Sequence, residues 1–179
     1  MAVEVFRRGP TTARLEHRAF EAGDAETFYA LNSHPEVMRL TGETPFPSLQ
    51  AARDAIAAYP DFDTVGYGRW ACILEGKVIG FSGLKYLPEL DVVDLGYRFF
   101  PEHWGHGFAT ESGRACVDFA FERLGLTSVH AFVLPDNLAS VRVLKKLGFE
   151  PDGSVSDPEY PEALSYVVRG FRGSPRKAR

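Results

Sequence analysis

A single α/β domain is what this chain of 179 residues predicts, and three observations carry the prediction. Apolar residues recur at helical spacing in four stretches, beginning near Ala25, Leu49, Ala109 and Leu138. Three strand-like runs follow one another between Arg69 and Phe99. A glycine-spaced turn, Trp104-Gly105-His106-Gly107-Phe108-Ala109, then leads from the last of these runs into the longest helical stripe.

Each element has a local reason. Residues 1–12 are polar, Pro- and Gly-bearing and without periodicity, and read as a flexible lead-in to a domain over 13–171. From Ala13 to Phe20 the chain alternates Leu15, His17 and Ala19 against Arg14, Glu16 and Arg18, the period of a first strand. Asp24 caps a helix carrying Ala25, Phe28, Tyr29 and Leu31 that stops before Pro35. Ser48 caps a second, with Leu49, Ala52, Ala55, Ile56 and Tyr59 on one face, ended by Pro60. Arg69–Leu74, Val78–Tyr86 and Val92–Phe99 are three successive strands, the first two joined through a Glu75-Gly76-Lys77 turn. Ala109, Gly113, Cys116, Phe119, Ala120 and Leu124 form the stripe of a long helix, with Gly125 as its stop. Val129–Leu134 is a buried strand. Asn137 caps a last helix with Leu138, Val141, Leu144 and Leu147 on one face, closed by Gly148. Strands near Phe149–Val155 and Leu164–Phe171 finish the domain, and 172–179 form a basic tail read as a solvated terminus. A mainly antiparallel sheet with one parallel pair beside the central helix satisfies this order.

Composition narrows the classes. An apolar content of 45% and a charged content of 25% are those of a globular protein. A net charge of −4 with a pI near 5.7 argues against a dedicated nucleic-acid binder. Cys72 and Cys116 are the only cysteines and both sit in apolar settings, so neither a disulfide framework nor a metal pattern is expected. His103 and His106 are three apart but lack a third ligand nearby, so no metal is assigned. The first residues lack a signal-peptide core and no run approaches the roughly 18 apolar residues of a membrane span, so a cytoplasmic protein without membrane contact is expected.

The glycine turn carries the chemistry. A helix opening after such a turn leaves N–H groups unpaired and aims its positive dipole end outward, which suits a phosphate-bearing ligand. A Walker loop is excluded, because Gly-Lys-Ser/Thr occurs nowhere in the chain. The dinucleotide fingerprint fits Gly105 and Gly107 but places Thr110 at its last glycine, and no carboxylate follows at the ribose position. A third template, G-x-G-x-(G/A) directly before a long helix, fits Gly105, Gly107 and Ala109.

That template is the diphosphate loop of acyl-CoA-dependent N-acyltransferases, and the chain resembles this GNAT superfamily over roughly residues 13–170. The run Asp94-Leu95-Gly96-Tyr97, followed by Trp104 to Glu111, is similar to the branch that acetylates ribosomal-protein N-termini (Rim-type). A second block, Asn137 to Leu144 through Leu147-Gly148-Phe149, resembles the N-x-x-S…LGF signature of the same branch. Trp104 stands where the wider superfamily often has Arg or Gln, a substitution common in this branch. The resemblance implies a GNAT fold: a mixed, mostly antiparallel sheet of six to seven strands, a splayed central parallel pair and about four helices.

It also implies an activity, transfer of the acetyl group of acetyl-CoA to a primary amine by direct attack in a ternary complex, without a metal. The acceptor is a protein N-terminal α-amine or a small-molecule amine, and the protein a monomer or homodimer. The diphosphate anchor is the backbone of His106, Gly107, Phe108, Ala109 and Thr110, with Trp104 and Gly105 opening the loop. A backbone N–H on the strand at Leu95, Gly96 and Tyr97 is the oxyanion donor, with a bulge at Gly96 freeing it. Asn137 meets the pantetheine amides and Ser140 orients or protonates the leaving thiolate. Asp94 is the base, on the same strand face as Gly96, with Glu102, His103 or a water relay as rivals. From the residues alone, Phe46, Tyr86 and Tyr160 are candidates for the acceptor pocket, with core or loop packing as the alternative for each, and Glu111 steadies the loop helix. The competing class is an acyl-CoA-binding module of the same fold that has lost turnover.

Overall fold

Three neighbouring segments build the middle of the sheet: two carry consecutive buried residues, Trp70 to Cys72 and Ser82 to Leu84, and the third buries Val93, Leu95 and Phe99 on one face. The computed structural model describes residues 4–153 and 162–170. Strands β1 (Glu16–Arg18), β2 (Arg69–Leu74), β3 (Lys77–Leu87), β4 (Val92–Phe99), β5 (Ser128–Val133), β6 (Glu150–Pro151) and β7 (Leu164–Arg169) form one seven-stranded sheet. Its order is β1-β2-β3-β4-β5-β7-β6, and every neighbouring pair is antiparallel except β4 with β5. The helices are α1 (Ala25–Leu31), α2 (Pro35–Arg39), α3 (Leu49–Ala57), α4 (Asp61–Thr64), α5 (Phe108–Glu122) and α6 (Leu138–Lys146). The expected mixed sheet with one parallel pair is therefore present. Two short helices were not foreseen. The first helix stops before Pro35 as expected, and Pro35 itself opens α2, since the first helical position tolerates a residue without an N–H.

The caps act where expected. Ser48 Oγ accepts from the Ala51 N–H at 3.1 Å, and Asn137 Oδ1 from the Ser140 N–H at 3.1 Å. Asp24 heads α1 without capping it; its carboxylate instead accepts from Arg18 Nη1 at 2.6 Å. The main core lies between the sheet and α5, whose stripe buries Phe108, Cys116, Val117 and Ala120. Trp70 is fully buried there, edge-on to Phe119 at 5.3 Å. Truncating such an indole costs about 3–5 kcal/mol.

The flexible lead-in requires correction over residues 4–12. The Phe6 N–H bonds the Gly66 carbonyl at 2.6 Å, and the Phe6 carbonyl receives the Trp70 indole N–H at 2.8 Å. The Gly9 N–H bonds the His17 carbonyl at 2.9 Å, so this segment runs along the edge strand. The final strands are shorter than read, because β6 is only two residues. The basic tail at 172–179 lies outside the described residues.

Candidate active site

The strand pair β4–β5 supplies the central opening. It is registered at a single position, Asp94 with His130, and beyond that the two strands diverge. The cavity against this split has a volume of about 850 Å³. Its walls include Asp94 to Arg98 of β4, Ala131 to Leu134 at β5, and Asn137, Ser140 and Leu144 of α6. The opposite wall comes from α1, α3 and the segment between α2 and α3, with Phe28, Thr41, Glu43 and Phe46.

The glycine loop adopts the conformation its spacing implies. Gly105 has φ +78° and Gly107 φ +82°, both in the left-handed region, and Gly107 is the N-cap of α5. The first amides of α5 thus emerge from a turn that side chains with a Cβ adopt only under strain. Arg14 braces this loop. Its guanidinium bonds the His106 carbonyl at 3.0 Å, pairs with Glu111 at 2.6 Å and lies 4.3 Å over the Phe108 ring. Thr12 Oγ1 donates to the same Glu111 carboxylate at 2.6 Å. The Trp104 indole N–H is fixed on the Phe99 carbonyl at 2.8 Å, turning the chain at the end of β4.

Gly96 has a different purpose from the expected bulge. The register of β3 against β4 runs unbroken through Gly83 opposite Gly96, so no bulge is present. Arg69 of β2 stands opposite Gly83, which makes Arg69, Gly83 and Gly96 one cross-strand row. The missing side chain of Gly96 leaves a lane in which the guanidinium lies, whereas a Cβ on Gly83 would meet the Gly68 and Arg69 backbone. A Cβ on Gly96 would fall 1.6 Å from Arg69 Nη1. At the end of the lane Arg69 Nη2 donates to Asp94 Oδ2 at 2.5 Å, and Nη1 donates to the Gly83 carbonyl at 3.2 Å. Donors at the cleft are freed by the divergence of β5, not by a kink in β4.

Asp94 shares the face of Gly96, as strand alternation requires. Its side chain is 13% exposed. Burial pushes its carboxyl above the ordinary range, while the Arg69 guanidinium, Lys85 opposite and the Phe132 N–H pull in the other direction. Two further ion pairs border the same cavity. Arg98 reaches Glu43 at 2.9 Å and the Asn32 amide oxygen while lying over Phe81, and Arg7 reaches Asp63 at 2.6 Å.

The sequence-derived residues separate into groups. Asp94, Leu95, Gly96, Tyr97, Asn137, Ser140 and Phe46 all border the one cavity. Trp104 to Thr110 form the adjoining loop and helix start. Glu102 and His103 occupy a short 3-10 turn after β4 and do not border the cavity. Tyr86 is also away from it: its hydroxyl donates to Asp91 across the β3–β4 hairpin at 2.8 Å, which corrects its placement in the acceptor pocket. Tyr160 lies outside the described residues. Arg69 and Arg14 were missed. Paired strand glycines facing a basic residue were the available signal for the first; Arg14, in the first strand-like segment, gave none. Among the described residues no cluster of three or more metal-ligating side chains occurs, and no helix is long and apolar enough to cross a membrane.

Comparison with known proteins agrees with this geometry. A family model described as an acetyltransferase (GNAT) domain matches residues 14–150. The uncharacterised N-acetyltransferase p20 of Bacillus licheniformis is 34% identical over 152 residues, 83% of this chain and 85% of its own. A solved acetyltransferase from Agrobacterium tumefaciens superposes with a TM-score of 0.80 at 26% identity, covering 90% of this chain and 94% of that one. The spermidine N-acetyltransferase of Vibrio cholerae, solved with CoA and spermine, has a TM-score of 0.73 at 21% identity, with 88% and 96% covered, a likeness of fold.

Proposed function

The chain belongs to the GNAT acetyltransferase family, and from that premise we propose that it moves the acetyl group of acetyl-CoA onto a primary amine by direct attack within a ternary complex. The observation that carries the reading is the single-position pairing of β4 with β5 beside the left-handed Gly105–Gly107 turn. A diphosphate at the start of α5 would meet unpaired amides and the positive end of the helix dipole. A pantetheine arm would then follow the split between the strands toward Ser140. In this reading Asn137 and the backbone of Leu95, Gly96 and Tyr97, which border the cavity, bond its amides and the thioester oxygen.

Asp94 is the base in this reading. Its raised carboxyl suits proton acceptance nearer neutral pH, and Arg69 limits that rise. The same ion pair favours the second reading, a binding module without turnover, since a carboxylate held by a guanidinium at 2.5 Å is a weaker base. The acceptor is a protein N-terminal amine, as the branch motifs suggest, or a small amine such as the polyamine held by the Vibrio cholerae relative.

Thermal unfolding with acetyl-CoA, CoA and NAD tests the cleft. A ligand at about 100 times its Kd stabilises by roughly 2.7 kcal/mol, about 5–11 °C for a domain of this size. The expected result is a shift with both CoA species, none with NAD, and none in Gly107→Glu. Thiol release is then followed with N-terminal peptides, polyamines and amino sugars. Binding without any acetylated amine favours the module, and no CoA shift at all removes both readings.

A further inference from the structure

Ser140 is held from two sides. Its amide is capped by Asn137 Oδ1 at 3.1 Å, and the Asn137 amide nitrogen is anchored in turn on the Leu40 carbonyl at 3.2 Å. Its hydroxyl lies 2.8 Å from the hydroxyl of Tyr97, a contact in which either oxygen can donate, and the Tyr97 O–H also reaches the Ser140 carbonyl at the longer distance of 3.3 Å. Tyr97 comes from β4, next to Gly96, and Ser140 from the first turn of α6. Both border the cavity.

A serine hydroxyl has one hydrogen to give and two lone pairs to receive. A serine in a helix commonly spends that hydrogen on a carbonyl one turn back. When the Tyr97 hydroxyl donates to Oγ, it fixes the oxygen and leaves the serine hydrogen free to face the cavity. Burial also holds the phenol far above its usual titration, with the Ser140 contact pulling the other way, so Tyr97 keeps its proton and remains a donor.

We propose that Tyr97 is a positioning residue for Ser140, directing the serine O–H at the sulfur of the bound thioester. The inference rests on the acetyltransferase reading of this cleft. As the amine nitrogen bonds the acetyl carbon, the C–S bond breaks and its electron pair passes to sulfur. Ser140 donates a hydrogen bond to that thiolate, and Tyr97 donates one to Ser140. Neither hydroxyl gives up its proton. The proton shed at nitrogen passes to Asp94 and on to water, and water protonates the thiolate after release. A chain of two donors polarises each bond further than one donor alone.

The test uses the whole protein with CoA itself as the probe. The thiol of bound CoA is titrated by its thiolate absorbance in the unsubstituted protein, Tyr97→Phe, Ser140→Ala and the double variant, with calorimetric Kd values alongside. The bound thiol is expected to titrate below that of free CoA. Tyr97→Phe keeps the ring and removes one hydroxyl, and should raise the titration by about half a unit or more, roughly a threefold loss of thiolate at fixed pH. Ser140→Ala should raise it further, and Tyr97→Phe should then add nothing, since the two act in series. A Tyr97→Phe protein that binds CoA with an unmoved titration overturns the assignment, as does an equal effect in both serine backgrounds. Failure of every variant to bind CoA instead removes the acetyltransferase reading, and this inference with it.

Discussion

Gly96→Ala is the substitution that tests the glycine lane most directly. The new methyl group would sit 1.6 Å from Arg69 Nη1 and 2.3 Å from Cζ, so the guanidinium must leave. Its departure is sterically cheap, because it is the tip of a flexible side chain. The cost falls on Asp94, a carboxylate 13% exposed that loses its partner at 2.5 Å, and on the Gly83 carbonyl. Breaking a buried pair typically costs 3–5 kcal/mol, and replacing a strand glycine by alanine returns roughly 1. A net loss of about 3 kcal/mol lowers Tm by about 6–12 °C in a domain of this size. The loss has a pH signature. A carboxyl whose native titration lies above its unfolded value destabilises the fold at neutral pH, and that penalty is relieved as pH falls through the raised value toward the ordinary 3.8. Without Arg69 the rise is larger, so the gap between Gly96→Ala and the unsubstituted protein should narrow on acidification. Thermal melts at several pH values measure it, repeated in an Arg69→Ala background where the lane is empty. A loss that persists undiminished in that background, or that ignores pH, would refute the account.

Two further outcomes follow from buried and braced groups. Burial works against ionisation of Glu111, yet hydrogen bonds from Thr12 and Arg14 outweigh it and hold the carboxyl below its ordinary 4.5. Such a group stabilises above its unfolded titration and loses that contribution as pH falls through its native one, so Glu111→Gln should cost about 1 kcal/mol at pH 7 and progressively less below about pH 4.5 by thermal melting. Cys72 and Cys116 are both fully buried, and burial lifts both thiols, Cys116 to about 12; iodoacetamide at pH 8 should therefore modify neither in the native protein and both after unfolding, read by mass spectrometry.

Much of this arrangement was legible because it is written in local periodicity. The bounds of β2 and β4 follow from strand patterning, and the caps Ser48 and Asn137 precede apolar stripes of period 3.6. Gly105 and Gly107 marked the turn before the long helix, and their left-handed φ values explain why glycines stand there. What stayed hidden depends on separations that a single sequence does not encode. Arg69 and Asp94 are 25 residues apart and meet only because β2, β3 and β4 are consecutive neighbours in register. Tyr97 and Ser140 are 43 apart and meet across the boundary between the sheet and α6. Tyr86 misled for a related reason: strand alternation gives its face, but not that the hairpin carboxylate of Asp91 would capture its hydroxyl. Pro35 follows a helix, as its position suggested, and it also begins a further short one that periodicity over five residues is too brief to announce.

The lone registered pair of Asp94 with His130 also has a mechanical meaning. Cut between β4 and β5, the sheet falls into two hydrogen-bonded blocks, β1 to β4 and β5 to β7 with β6, with α5 packed on strands of both. Such a seam is the place where the native sheet opens at least cost, because few ladder bonds must break. A ligand arm that bonds both lips acts as the missing strand. It would make amides on the two sides exchange with solvent as one unit, so occupancy of the cleft becomes readable far from the cleft, as stiffness along the whole width of the sheet.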